Sequence, residues 1–318
     1  MVQNGHGPPA EPFSAARAIW DNREALSAVL PEPRAVREAL HVATGGPRDF
    51  VRQQWLQLVS VVYAFKPQLI IELGRGYGNS SCAMAMAARM LAPQPCPILS
   101  LCQSNSFQFV SRPHVGPLFS ELLDPIEARI CDIRGRDFTA DVGAAERVFV
   151  FWDAHGYELA EEIFSGLFTL LQDRPHLALV HDLADLKYMG RDFRLHRSKD
   201  KWQPTGSAPA KYVLGDVGSQ YEEGIALVDF FSRNQLPFRS AESSYFNELS
   251  DSQLAELETR FGDDFSRFGF WYSFSLNERS GVPLSFPDRP PPPPPEPEPE
   301  PPPPPPPPPW WRRLLGQS

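Results

Sequence analysis

Two groups of residues in this 318-residue chain have the types and spacing to do chemistry. The first is IIELGRGYGNSS, residues 70–81, where Glu72 precedes Gly74, Gly76 and Gly78. Alternating glycines after an apolar run let the backbone approach a ligand closely, because no side chain stands in the way. The second group is split between two stretches: Asp153 and His155 lie in FWDAHGY, and His181 and Asp182 lie in LVHDL, with Asp185 close behind. Carboxylate and imidazole together can hold a divalent cation, the first as a hard donor and the second as a borderline one. Alternatively, an imidazole with a pKa of roughly 6.5 can take a proton from a hydroxyl.

The glycine pattern excludes two common nucleotide loops. A phosphate-cradling Walker loop needs Gly-Lys-Ser/Thr, and GNSS has no lysine. A dinucleotide fingerprint wants an acid about 20 residues on, at the end of the second strand. That strand reads ILSLCQSNSF, with no carboxylate at its end. A nicotinamide-dependent oxidoreductase is therefore the weaker enzyme alternative.

Both groups need a scaffold that gathers strand ends. QLIIEL, PILSLC, ARICDI, RVFVFWD and HLALVHD are short apolar runs, read as buried strands. Between them SSCAMAMAARML, GPLFSELL and YELAEEIFSGLFTLL read as helices. Such alternation predicts an α/β fold, a doubly wound, Rossmann-like sheet with helices on both faces. PFRSAESSY and FWYSFSL complete seven mostly parallel strands, the last two as an antiparallel edge. The C-terminal ends of parallel strands line the ligand crevice, so Asp153, His155, His181 and Asp182 are expected beside the glycine loop. Two short helices are expected over residues 13–40, and a third ends at Lys66-Pro67. Residues 186–216 read as a long charged loop whose Arg191, Arg194, Arg197, Lys199 and Lys201 suit a lid or an anion-recognising rim.

At this point the chain resembles the class I S-adenosylmethionine-dependent methyltransferases, on Glu72 followed by Gly74, Gly76 and Gly78. The resemblance implies that Glu72 faces the methionine ammonium of S-adenosylmethionine and that the loop lies under the cofactor. It implies that Asp132, in ICDIR, sits near the adenine. Where the family has an acid after strand two, this chain offers Gln103, Ser104 or Asn105 to the ribose. Asp153 and the His181–Asp182 pair resemble the branch containing small-molecule and sugar O-methyltransferases and the cephalosporin-hydroxylase-like proteins. That likeness implies a small-molecule acceptor and Mg²⁺ held by Asp153, His181 and Asp182 in some members. In that setting His155 and Asp153 are the catalytic candidates, with His155 as base.

The remaining features bound the rest. The formal net charge of -9 argues against general nucleic-acid binding. Four cysteines without a CxxC pair read as reduced thiols of a cytoplasmic protein. The N-terminus does not read as a signal peptide, and no stretch is apolar enough to span a membrane. The chain divides into a partly helical extension over residues 1–45, the α/β domain over 46–286, and a disordered tail over 287–318. Residues 290–309 comprise seventeen prolines and three glutamates, which favour a polyproline II rod, and WWRRLL follows. The rod can dock on a protein partner, and WWRRLL can make weak membrane-surface contact. A non-catalytic scaffold that recruits partners through this tail is the alternative from another class.

Overall fold

The computed structural model describes residues 13–46, 50–91, 93, 96–181, 194–198, 201–205, 216–236, 239–240, 248–278 and 283–288. The proline tail and its WWRRLL end lie outside them, as do Asp182 and Asp185. Three helices open the chain, where two were expected: α1 (Ala15–Asp21), α2 (Arg23–Val29) and α3 (Pro31–Thr44). Pro31 explains the extra boundary. It suits a first helical turn, where its missing N–H has no bond to lose, so α3 begins there as a separate helix. Helix α4 (Arg52–Phe65) stops at Lys66, which turns left-handed with φ 53° ahead of Pro67.

Five strands follow in parallel: β1 (Leu69–Leu73), β2 (Ile98–Cys102), β3 (Ile126–Ile130), β4 (Val148–Trp152) and β5 (His176–Val180). Their order is β3-β2-β1-β4-β5. Strand β9 (Tyr272–Phe274) adds antiparallel to β5, and the two-residue β8 (Arg239–Ser240) pairs antiparallel with β9 at the edge. The connections reverse direction between β1 and β4, and such a switch point opens a crevice above the strand ends. Strand β3 lies earlier than the apolar run ARICDI suggests. Pairing of Ile126–Ile130 with Ile98–Cys102 sets its register, which leaves Cys131 and Asp132 beyond the strand.

Strand parity sorts the side chains into two cores. Ile70, Phe149, Phe151, Leu177 and Leu179 face α1–α4 and α5 (Asn79–Met90), in one cluster with Ile19, Leu26, Val36 and Leu40. Ile71, Leu73, Val150, Trp152 and Val180 face the opposite layer. That layer comprises α6 (Tyr157–Ile163), continued by a π-turn over Phe164–Phe168, and α7 (Asp216–Arg233). Trp271 and Phe274 straddle β9, so the two faces of FWYSFSL reach different cores. Helix α8 (Asp251–Phe261) starts at a Ser250–Gln253 capping box and packs Leu254, Leu257 and Phe261 into the first core.

The charged segment 186–216 is not uniformly loop. It contains a hairpin, β6 (Arg194–Ser198) with β7 (Lys201–Thr205), whose strands are joined by two residues. None of the four cysteines is paired; Cys82 and Cys96 are buried, and burial pushes the Cys96 thiol up to about 12. Among the described residues, no helix is long and apolar enough to cross a membrane.

Gly74 joins β1 to the loop at φ 88°, and a Cβ there would stand 1.9 Å from the Asp153 carbonyl oxygen. Gly45 is also left-handed, at φ 70°, but has nothing within 4 Å. Gly74→Ala is therefore expected to cost about 3 kcal/mol or more, and Gly45→Ala only about 1–2 kcal/mol for the backbone conformation alone. Urea midpoints of the two variants check this; equal losses would mean that the β1–β4 contact is looser than described.

Candidate functional site

The loop after β1 is built on a buried acid. Glu72 shares strand parity with Ile70, so it points under the N-terminus of α5 and not into the crevice. It is completely buried. Ser80 and Ser81, in the first turn of α5, donate to its two carboxylate oxygens at 2.5 and 2.6 Å. Ser100, its register partner on β2, donates a third and shorter bond. Burial pushes the Glu72 carboxyl up, and the three hydroxyls and the nearby Arg75 counter that only in part. Arg75 is itself buried. It donates to the Ser100 carbonyl at 2.7 Å and to Ser100 Oγ at 2.9 Å, and its guanidinium lies 5.5 Å from the Phe107 ring centroid.

The expected contact of Glu72 with a ligand ammonium is therefore not what this geometry supports. The carboxylate ties β1, β2 and α5 together beneath the loop. Gly74, Gly76 and Gly78 take φ of 88°, 51° and 90°, the left-handed region that favours glycine. A Cβ at Gly78 would stand 2.2 Å from the Phe107 ring, so only glycine lets that aromatic close over the start of α5.

Gln103 follows β2 directly and is exposed. Asp132 is exposed too, but it is engaged. Arg134 donates to its carboxylate from Nη2 at 2.5 Å and from Nε at 3.0 Å. This pairing, with help from Gln103, holds the Asp132 carboxyl below its ordinary range.

The second constellation does converge. Asp153 Oδ1 lies 3.3 Å from His155 Nε2 and 3.3 Å from His181 Nδ1. Two residues with no sequence signal complete it. Glu223, fully buried on α7, meets His155 Nδ1 at 2.7 Å. Gln54, on α4, meets His181 Nε2 at 2.8 Å. The Gln54 carbonyl oxygen accepts from the Val51 N–H, so its amide N–H₂ faces the ring. His181 Nε2 is thus the acceptor and its ring proton sits on Nδ1, toward Asp153. Phe50, Phe151 and Trp271 pack around the His181 ring with centroids 5.0–6.0 Å away.

The cluster fixes its own charges. Burial alone would raise the Asp153 carboxyl, but the imidazoles of His181 and His155 hold it well below the usual carboxylate range. Burial alone would lower His155, yet a carboxylate at each ring nitrogen raises it well above 6.5. A ring held in that form could act as a base only after giving up one of its protons, because an imidazole carrying both has no lone pair. Asp153 is the member most open to the crevice, with its side chain 21% exposed. Asp182, the third residue of the expected metal set, lies outside the described residues. Among those described, no three His, Cys, Asp or Glu side chains are grouped to hold a metal ion.

No family model matches the chain, and no curated protein matches it. Solved structures with a similar chain course include three methyltransferases. An O-methyltransferase from Bacillus cereus, solved with S-adenosylhomocysteine, is 14% identical with a TM-score of 0.42, over 64% of this chain and 81% of that one. A Podospora anserina methyltransferase, also bound to S-adenosylhomocysteine, is 18% identical with a TM-score of 0.40, over 72% and 90%. The O-methyltransferase TomG from Streptomyces achromogenes, involved in tomaymycin synthesis and solved with S-adenosylmethionine, is 15% identical with a TM-score of 0.37, over 65% and 80%. Identities and overlaps this low assign no activity, so function is read from the site itself.

The raised titration of His155 has a consequence for stability. A group whose folded pKa is raised stabilises the fold fully below its unfolded pKa, and that gain is lost as pH rises through the folded value. Wild type should therefore lose stability as pH climbs from about 6.5 into the alkaline range. His155→Asn should be less stable at neutral pH and show a flatter alkaline limb. Urea midpoints from pH 6 to 9 check this, and parallel slopes for the two proteins would contradict it.

Proposed function

We propose that the chain is a class I S-adenosylmethionine-dependent methyltransferase acting on the hydroxyl of a small molecule. The observation that carries this is the meeting of three left-handed glycines with an ionised, part-exposed Asp153 across the switch point of the sheet. Asp153 N–H donates to the Leu73 carbonyl at 2.7 Å, which sets the two strand ends side by side. The site fits a nucleoside sulfonium donor. The glycine backbone offers a surface without side chains, Gln103 offers an amide to the ribose, and the crevice carries negative charge for a cationic ligand.

When bound, the donor supplies an already activated methyl group, so the protein's task is alignment and charge. Asp153 accepts a hydrogen bond from the acceptor hydroxyl and raises electron density on its oxygen. With the donor bound, the methyl carbon would pass from sulfur to that oxygen, leaving S-adenosylhomocysteine, and the hydroxyl proton would pass by way of Asp153 to water. His155 keeps Asp153 ionised and oriented, and Glu223 and Gln54 hold the two rings. An oxidoreductase reading has no comparable support, because β2 runs into Cys102 and Gln103 where a ribose-binding acid would stand.

Calorimetric titration with S-adenosylhomocysteine should give a Kd in the micromolar range, while NAD and NADP should give no heat. Asp153→Asn should leave that affinity nearly unchanged and lower kcat about 100-fold or more once an acceptor is in hand. Absence of S-adenosylhomocysteine binding by folded protein would sink the proposal.

A further inference from the structure

A cleft between the N-terminal helices and the start of α4 has no part in the site at the strand ends. Its apolar lining includes Leu26 and Val29 from α2 and Leu56 and Val59 from α4. Arg34 and Arg37 from α3, Arg52 and Trp55 from α4, and Asp264 beyond α8 also line it. Three cations thus meet one acid, and the pairing is uneven. Arg34 Nε donates to the Asp264 carboxylate at 2.8 Å, and Arg52 donates to Asp263 at 2.9 Å. Arg37 Nε is buried and meets no acceptor among the described residues. The indole N–H of Trp55 is in the same position, although Trp55 is only 2% exposed. Buried donors are nearly always met, so two unmet ones in the lining of a single cleft ask for a guest. Burial and the neighbouring Arg52 both lower the Arg37 guanidinium's pKa, as expected for a cation short of negative charge.

We propose that this cleft binds a small monocarboxylate with a slim, unbranched apolar chain. The carboxylate takes the unmet N–H groups of Arg37 and Trp55, and the chain lies against Leu26, Val29, Leu56 and Val59. A carboxylate only accepts hydrogen bonds, which suits a lining whose unmet groups only donate. Its charge also balances the cation that Asp263 and Asp264 leave over. A water could take the hydrogen bonds but not the charge, and an ammonium would face three guanidinium groups. Size narrows the choice further. The enclosed part has room for little more than one water, within about 350 Å³ of empty space that includes open solvent. One carboxylate oxygen fits where that water would sit, whereas a broad ring does not.

Hexanoate is the probe, with hexanol and hexylammonium as controls of equal length. Calorimetry on the full chain gives affinity, and ¹⁵N–¹H spectra of the tryptophan indoles give location, the Trp55 signal being the one lost in Trp55→Phe. Hexanoate is expected to bind saturably and to shift the Trp55 indole signal, while the two controls do neither at the same concentrations. Arg37→Gln is expected to weaken hexanoate about tenfold or more, since it removes a charged donor. Should Trp55→Phe or Arg37→Gln not fold, Val29→Phe takes their place: it fills the cleft without touching either donor and is expected to abolish binding. Three results would each overturn the proposal: no saturable binding to wild type, hexanol binding as well as hexanoate, or hexanoate affinity unchanged in a folded Arg37→Gln or Val29→Phe. Neither readout involves S-adenosylhomocysteine, so the outcome stands apart from the methyltransferase reading.

Discussion

The structure around the site depends on one buried carboxylate. Glu72 lies inside the sheet–helix interface, where an unpaired carboxylate would be strongly disfavoured. Three hydroxyls from two elements and the nearby Arg75 offset part of that cost. Because those partners come from α5 and β2, satisfying the acid also fixes where α5 starts and how β1 and β2 end together. The glycine loop is the chain left between these fixed points. Its left-handed turns and its tight passage beside Asp153 follow from that placement.

Asp153 shows the opposite use of the same chemistry. It stands one strand over, at the crevice, and stays ionised because two imidazoles face it. Those imidazoles are held in turn by Glu223 from α7 and Gln54 from α4, helices on opposite faces of the sheet. One carboxylate therefore organises the backbone and the other presents charge. The N-terminal helices share the first core with the sheet, and through Gln54 and Phe50 that region also shapes the surroundings of His181.

Much of this was legible in the sequence, for physical reasons that also mark the limits. The parallel strands announce themselves as short apolar runs because both faces are buried, and the glycine loop because left-handed turns exclude most other residues. Asp153, His155 and His181 could be placed together because strand ends of a doubly wound sheet must meet. The side of the sheet that Glu72 faces was also available, from its parity with Ile70 and from the serines at 80 and 81. The family likeness implies the opposite side. Glu223 and Gln54 carried no local signal. They reach their histidines across 68 and 127 residues of chain, and on their own helices they look like ordinary polar positions. The end of β3 is not legible from the sequence, because Cys131 and Ile133 prolong an apolar pattern that pairing with β2 does not use.

A crystal structure of the chain with S-adenosylhomocysteine tests the central claim most directly. The account predicts the ligand's methionine portion over Gly74–Gly78, with the Asp153 carboxylate facing the side from which an acceptor approaches the sulfur. It also predicts Glu72 still bonded to Ser80, Ser81 and Ser100. Ligand bound away from the loop, or Glu72 released from its serines to meet the ammonium, would contradict it.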